Sequence, residues 1–211
     1  MSSMKKYELT EETKIIGDKM LFRIRALRSF GDIKAGDLGG FIENERNLSH
    51  EDNAWVSGNA KVIDNARVSD NALVSGETWV GGNARVGGNA RVSGEARVGG
   101  YARVSGKALV GGEALVSGYA KVGGKAIVGG EAWVSGEAQV SDDGLINSNN
   151  DYLYEKGLGS HNRPASFFKC KDRHIHVLCG CFDGNLDEFE NKVKEEHGNS
   201  KYAKEYLGFI E

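Results

Sequence analysis

Proline occurs once in the 211 residues, at Pro164, and histidine does not occur between His50 and His161. The three cysteines all fall between Cys170 and Cys181. Each scarcity excludes something. A single proline beside thirty glycines rules out a collagen-like or proline-rich chain, and these glycines are periodic rather than clustered as in a flexible linker. Three close-set cysteines do not make a disulfide framework. Without a signal-peptide pattern at the N-terminus, they point to a reducing, cytoplasmic setting. No apolar run is long enough to span a bilayer. The formal net charge of −3 argues against a general nucleic-acid binder and leaves only a local stripe of one sign as a charged surface of interest.

What the chain has is a six-residue rhythm. Val recurs every six positions from Val56 to Val140, followed by Ile146, and two residues before each Val stands Ala, with Thr78 the one substitution. Successive strand residues face opposite ways, so Ala and Val point inward and the residue between them outward. The spacers, mostly Ser-Gly, Gly-Gly or an Asp-containing pair, supply the tight or left-handed backbone of a corner. One such unit cannot bury its own Ala and Val, so neighbouring units must stack into a solenoid around a continuous core.

The flanks read differently. Residues 13–30, "TKIIGDKMLFRIRALRSF", predict two strands joined at Gly17-Asp18, with Phe22, Ile24 and Ala26 on one face and Arg23 and Arg25 on the other. They suit a cap over an otherwise open solenoid end. After Ile146, "FFKCKDRHIHVLCGCF" predicts a hairpin. "NLDEFENKVKEEHG" predicts a helix with Asn185 as N-cap, Glu188 as its capping-box partner and Gly198 as the stop, and "SKYAKEYLGFIE" a second helix. The expected division is an N-terminal β cap over 1–50, a solenoid over 51–146 and a small α+β domain over 147–211.

The repeat pattern (aliphatic, Gly or Ser, two variable residues, small, variable) resembles the hexapeptide repeat of left-handed parallel β-helix proteins. The resemblance implies three hexads per coil, a triangular prism and frequent trimers. The fifteen hexads of residues 54–143 would make five coils, stacked at roughly 4.8 Å. Residues 18 apart then lie above one another. Face one carries Trp55, Leu73, Arg91, Leu109 and Ile127, and face two Lys61, Trp79, Arg97, Leu115 and Trp133. Face three carries Arg67, Arg85, Arg103, Lys121 and Gln139, with no apolar residue. Glu77, Glu95, Glu113 and Glu131 follow one another at one corner, and Tyr101 and Tyr119 at another.

The outward Trp, Leu and Ile of faces one and two form an apolar strip that predicts a homo-oligomer interface, or else terminal domains folded across it. Stacked cations about 4.8 Å apart repel by roughly 1 kcal/mol per pair in water, so the Arg67/Arg85/Arg103/Lys121 ladder invites an anionic partner. One partner is the Glu77/Glu95/Glu113/Glu131 ladder of a neighbouring subunit, which has the same pitch. The other is a phosphate-bearing ligand whose base stacks on Tyr101 and Tyr119.

Catalytic and metal readings fare less well. The hexapeptide fold implies acyltransferases or carbonic anhydrases of the gamma class, but these use histidines at the coils, where this chain has none, and no loop insertion interrupts the hexads. Cys170, His174, His176, Cys179 and Cys181 are all zinc-ligand types. On one regular strand, however, His174 and His176 face opposite to Cys179 and Cys181, which argues against a single site holding both pairs. No cofactor, metal or catalytic residue is expected. The irregular "EKGLGSHNRP" of residues 155–164, with Ser160, His161, Asn162 and Arg163, is a linker or a ligand-contacting loop.

Three blocks, "LFRIRALRSFGDIKAGDLGGFIENERNLS" at 21–49, the Asn-Ala-x-Val coils and "CGCFDGNLDEFENKVKEEHGNSKYAKEY" at 179–206, resemble hexapeptide-repeat proteins carried by bacteriophages and prophages. The resemblance implies a phage accessory protein in the host cytoplasm, with no catalytic residue to carry over. The expected function is a non-catalytic trimeric binding protein, an anti-defence inhibitor that sequesters an anionic nucleotide signal or a host protein. The alternatives are a rigid structural spacer and, third, an acyltransferase-like enzyme. Neither membrane nor sequence-specific nucleic acid is an expected partner.

Overall fold

A computed structural model describes residues 5–159 and 163–208. The N-terminal segment supplies β1 (Tyr7–Ile16), β2 (Lys19–Ala26) and β3 (Leu38–Ile42). Sixteen two-residue strands follow, from β4 (Trp55–Val56) to β19 (Leu145–Ile146), one every six residues. Their inward Ala and Val are almost wholly buried and form a core continuous along the axis. Thr78 fits the same row because its hydroxyl donates to the Ser75 carbonyl.

These strands stack into three parallel sheets whose register steps by 18 residues, as in Arg85↔Arg103 and Arg103↔Lys121. The three columns of outward residues match those sorted from the sequence. The chain is a parallel β-solenoid of about six turns, one more than the hexads supply. The extra turn comes from the irregular segment before them, where Phe41 and Ile42 pair with Lys61 and Val62, and Leu48 with Val68. Polar chemistry replaces the repeat there: the buried Asn47 amide donates to the carbonyls of Asp64 and Ala66, at 3.0 and 2.9 Å. The corners bring backbone against backbone. At Gly106, φ is +67° and an added Cβ would lie 2.8 Å from the Gly124 carbonyl oxygen.

The N-terminal hairpin turns at Gly17-Asp18 as expected, and β2 and β3 extend the second sheet. It covers more than the end of the prism. Trp55 points outward from its coil but is only 2% exposed, with Phe30 and Tyr7 edge-on to its indole at 5.4 and 6.4 Å. This corrects the expectation that Trp55 lines an oligomer interface. Trp79 is likewise half-buried against the cluster of Leu21, Phe41 and Ile63. Beside Trp55, the buried Lys6 ammonium lies 4.9 Å from the Phe30 ring and donates to the carbonyls of Ala54 and Glu51, at 2.8 and 3.1 Å.

The C-terminal hairpin is part of a four-stranded antiparallel sheet, β20 (Tyr152–Leu158), β21 (Arg163–Lys169), β22 (Ile175–Cys179) and β23 (Phe182–Asn185). Helices α1 (Leu186–His197) and α2 (Lys201–Leu207) follow, and the Asn185/Glu188 capping box opens α1. Strand β21 works on both faces. Phe168, with Cys170 just beyond the strand, closes the solenoid core, while Ala165 and Phe167 join Phe189, Val193 and Tyr206 in a second core under the helices. The Ser166 hydroxyl accepts the Gln139 N–H at 2.9 Å, capping the last strand of face three. No helix among the described residues is long and apolar enough to cross a membrane.

Candidate functional site

The cationic ladder stands on face three because every outward position of that column except the last is basic. Arg67, Arg85, Arg103 and Lys121 are all exposed and in register. Among the described residues none of the four forms an ion pair or a side-chain hydrogen bond. At the adjoining corner Tyr101 and Tyr119 stack on each other, with centroids 4.9 Å apart and planes 6° from parallel, and both are more than half exposed. The 18-residue step makes this pair: two tyrosines at one corner position of successive turns must lie face to face.

Arg85, Arg103, Lys121, Tyr101 and Tyr119 line one groove of about 530 Å³, a volume in the range of small-molecule sites. Arg67 lies outside it. The other walls are Asn83, Glu137, Gln139 and Pro164. Nothing in the hexads signals the last, because Pro164 reaches face three only when β21 docks on the final coil. Glu137 is the one acidic wall, and its carboxylate is engaged by the Lys156 ammonium at 3.1 Å and the Tyr154 hydroxyl at 3.4 Å. Burial, reinforced by Glu137, pushes the Tyr154 phenol up, so it stays a protonated donor. Three cations and an aromatic step thus surround a cleft whose one carboxylate among the described residues is already engaged.

The residues assigned to an oligomer interface differ in exposure. Leu109 is 41% and Trp133 52% exposed, on different faces; Leu73, Leu115 and Ile127 are half-buried. In the acidic column, Asn59 donates to Glu77 at 2.6 Å and Lys61 pairs with it at 3.2 Å. Both hold the Glu77 carboxyl below its usual range. Glu95, Glu113 and Glu131 are exposed and make no ion pair among the described residues.

In the C-terminal domain, strand alternation separates Cys179 from His174 and His176 as expected. It does not govern Cys170, which lies across the tight turn of residues 170–174, closed by the Cys170 N–H donating to the His174 carbonyl at 2.9 Å. The ligand atoms of Cys170, His174 and His176 lie within 4.8 Å of one another. Burial, then Asp172, Asp142 and Asp143, push the Cys170 thiol up to about 11. Asp142, His176 and Asp183 form a second such group sharing the His176 ring. Ser160, His161 and Asn162, the centre of the candidate loop, lie outside the described residues, while residues 155–158 belong to β20 and Arg163 opens β21.

Residues 66–82 and 84–100 match the family model described as the YdcK beta solenoid repeat. The matched segments hold Arg67, Arg85, Arg91 and Arg97, and agree with the architecture: this is a β-solenoid repeat protein. No curated protein matches the chain.

Proposed function

We propose that the protein acts by binding, and that its ligand is an anionic molecule with a planar ring, of which a nucleotide is the simplest example. One observation carries this reading: Arg85, Arg103 and Lys121 face a common groove, with no carboxylate partner among the described residues, beside the stacked Tyr101 and Tyr119. Phosphate oxygens would take the charge-assisted hydrogen bonds, with a base laid against the exposed tyrosine faces. The reading extends to the finer expectations: a left-handed hexapeptide-repeat protein of phage or prophage origin, trimeric and cytoplasmic, that withholds a nucleotide signal from a host defence. Calorimetry and thermal shift with cyclic dinucleotides and ADP-ribose test it. Saturable binding to the wild type that is lost in Arg85→Glu/Arg103→Glu supports it. Equal binding by the double variant, or none by the wild type, sinks it.

A second reading is structural, and Glu95, Glu113 and Glu131, which make no ion pair among the described residues, favour it. In a homotrimer their carboxylates would pair with the cationic face of the next subunit, and the prism would serve as a spacer or scaffold. Light scattering of the Glu95→Gln/Glu113→Gln/Glu131→Gln variant separates the two, since only the ladder-to-ladder trimer needs those charges. An acyltransferase activity ranks third and would require turnover of an acyl-CoA by a coil region without histidine.

A further inference from the structure

The C-terminal domain brings a thiol and two imidazoles together where it meets the last coil. Cys170 follows β21 and is 4% exposed; His174 and His176 lie beyond the turn and at the start of β22. Their ligand atoms, one per residue, are mutually within 4.8 Å. Around a tetrahedral zinc, sulfur at about 2.3 Å and nitrogens at about 2.0 Å stand roughly 3.3 to 3.6 Å apart. From separations within 4.8 Å, the ligand atoms would close in by at most about 1.5 Å to reach that geometry, within the reach of rotamer adjustment.

Carboxylates surround this set in the manner of an outer shell. Asp172 hydrogen-bonds His174 Nδ1, and Asp183 lies 2.7 Å from His176 Nε2. Asp142, from the last corner of the solenoid, lies 3.6 Å from the same Nε2. Each imidazole keeps a second ring nitrogen, and hydrogen bonding by a carboxylate is what fixes the tautomer and orientation of a metal-binding histidine. Phe168 stacks on His176 at 5.1 Å and shields that side of the ring from water. A buried thiol and three carboxylates converge on two imidazoles, and nearby Lys171 already pairs with Asp143.

We propose that Cys170, His174 and His176 bind a zinc ion that clasps the turn between β21 and β22, beside the last corner of the solenoid. A thiolate with two imidazoles selects zinc over magnesium or calcium, which prefer all-oxygen shells. Water takes the fourth position, since three protein ligands leave one corner of the tetrahedron open. Binding releases the Cys170 proton to solvent as the sulfur–zinc bond forms. The site shares no residue with the groove, so the two stand or fall separately.

Cobalt(II) is the optical probe and zinc the competitor, both added to the full-length, metal-stripped protein. The wild type should show the near-ultraviolet thiolate-to-cobalt charge-transfer band, saturating at one ion per chain and abolished by zinc. Cys170→Ser should lose the band, and Cys181→Ser, whose thiol is exposed and outside the cluster, should keep it. The exposed His174 can be replaced with little effect on packing, so His174→Ala covers the case in which Cys170→Ser does not fold. It should weaken zinc at least about tenfold, and Asp183→Asn about ten- to a hundredfold. A wild type without the band, a band retained in Cys170→Ser, or unchanged zinc affinity in folded His174→Ala would each overturn the proposal.

Discussion

Replacing Gly106 by Ala tests the close contact between turns that the whole solenoid depends on. Three glycines separate its contributions. Gly99 is outside the left-handed region and a Cβ there would meet nothing within 4 Å, so Gly99→Ala should be neutral or stabilise by about 0.4–1 kcal/mol through the unfolded chain. Gly17 has φ +61° with open space around it, so Gly17→Ala incurs only the left-handed penalty of about 1–2 kcal/mol, partly offset by that same entropy gain. Gly106 has nearly the same φ, +67°, but its Cβ would lie 2.8, 2.9 and 3.4 Å from the oxygen, nitrogen and Cα of Gly124.

Those atoms belong to backbone, which cannot swing aside as a side chain can, and the Gly124 carbonyl also accepts the Lys107 N–H at 2.7 Å. Forcing the turns apart adds about 1–3 kcal/mol of overpacking cost, for a total loss of roughly 2–4 kcal/mol. Urea unfolding by circular dichroism, at one protein concentration for all variants, reads the differences. The expected order of stability is Gly99→Ala, Gly17→Ala, Gly106→Ala. If Gly106→Ala is no worse than Gly17→Ala, the turns are not packed backbone to backbone and the reasoning fails.

Tyr101→Ala should cost about 1–3 kcal/mol of nucleotide affinity, measured by calorimetry, if a base stacks on the tyrosine pair. Arg103→Glu should weaken the same ligand about ten- to a hundredfold and flatten the salt dependence of binding. Trp55→Ala should destabilise the fold by about 3–5 kcal/mol in chemical denaturation, whereas Trp133→Ala should leave monomer stability within about 1 kcal/mol. Burial holds the His50 pKa below 6.5, so the unfolded chain takes up a proton more readily than the folded one. Its stabilising contribution is present above pH 6.5 and is lost as pH falls from there through the folded-state value. Thermal unfolding between pH 7 and 5 should show this loss, and His50→Gln should reduce it.

The coils were legible because their rule is local: a six-residue period fixes which side chains point inward, and the 18-residue stacking fixes what lies above them. That rule sorted Arg85, Arg103, Lys121, Tyr101 and Tyr119 onto adjoining positions, and the folded chain brings these five to one groove. It had no reach beyond the coil. Trp55 is outward by alternation, yet Phe30 and Tyr7 cover it, and nothing within its hexad signals a lid formed by residues 25 and 48 positions away. The first turn is not legible in the repeat because Asn47 satisfies the coil's carbonyls without an Ala-x-Val pattern. Strand alternation relates His174 and His176 to Cys179 and Cys181 but says nothing of Cys170, whose neighbours lie across a turn. Strands β20 and β23 escaped notice because "YLYEKGL" and "FDGN" lack strong alternation and gain their order from β21 and β22.

The docking of Pro164 beside the last rungs of face three constrains how the gene can change length. Gain or loss of 18 residues by unequal recombination between repeats would leave each side chain in its column and return Pro164 to the same face. A single hexad is just as easily duplicated in DNA and just as acceptable to the core. It would, however, rotate the C-terminal domain by about a third of a turn and set the proline over a different sheet. The unit that can be copied freely is therefore the hexad, while the unit that can be inherited without dismantling the groove is the full turn.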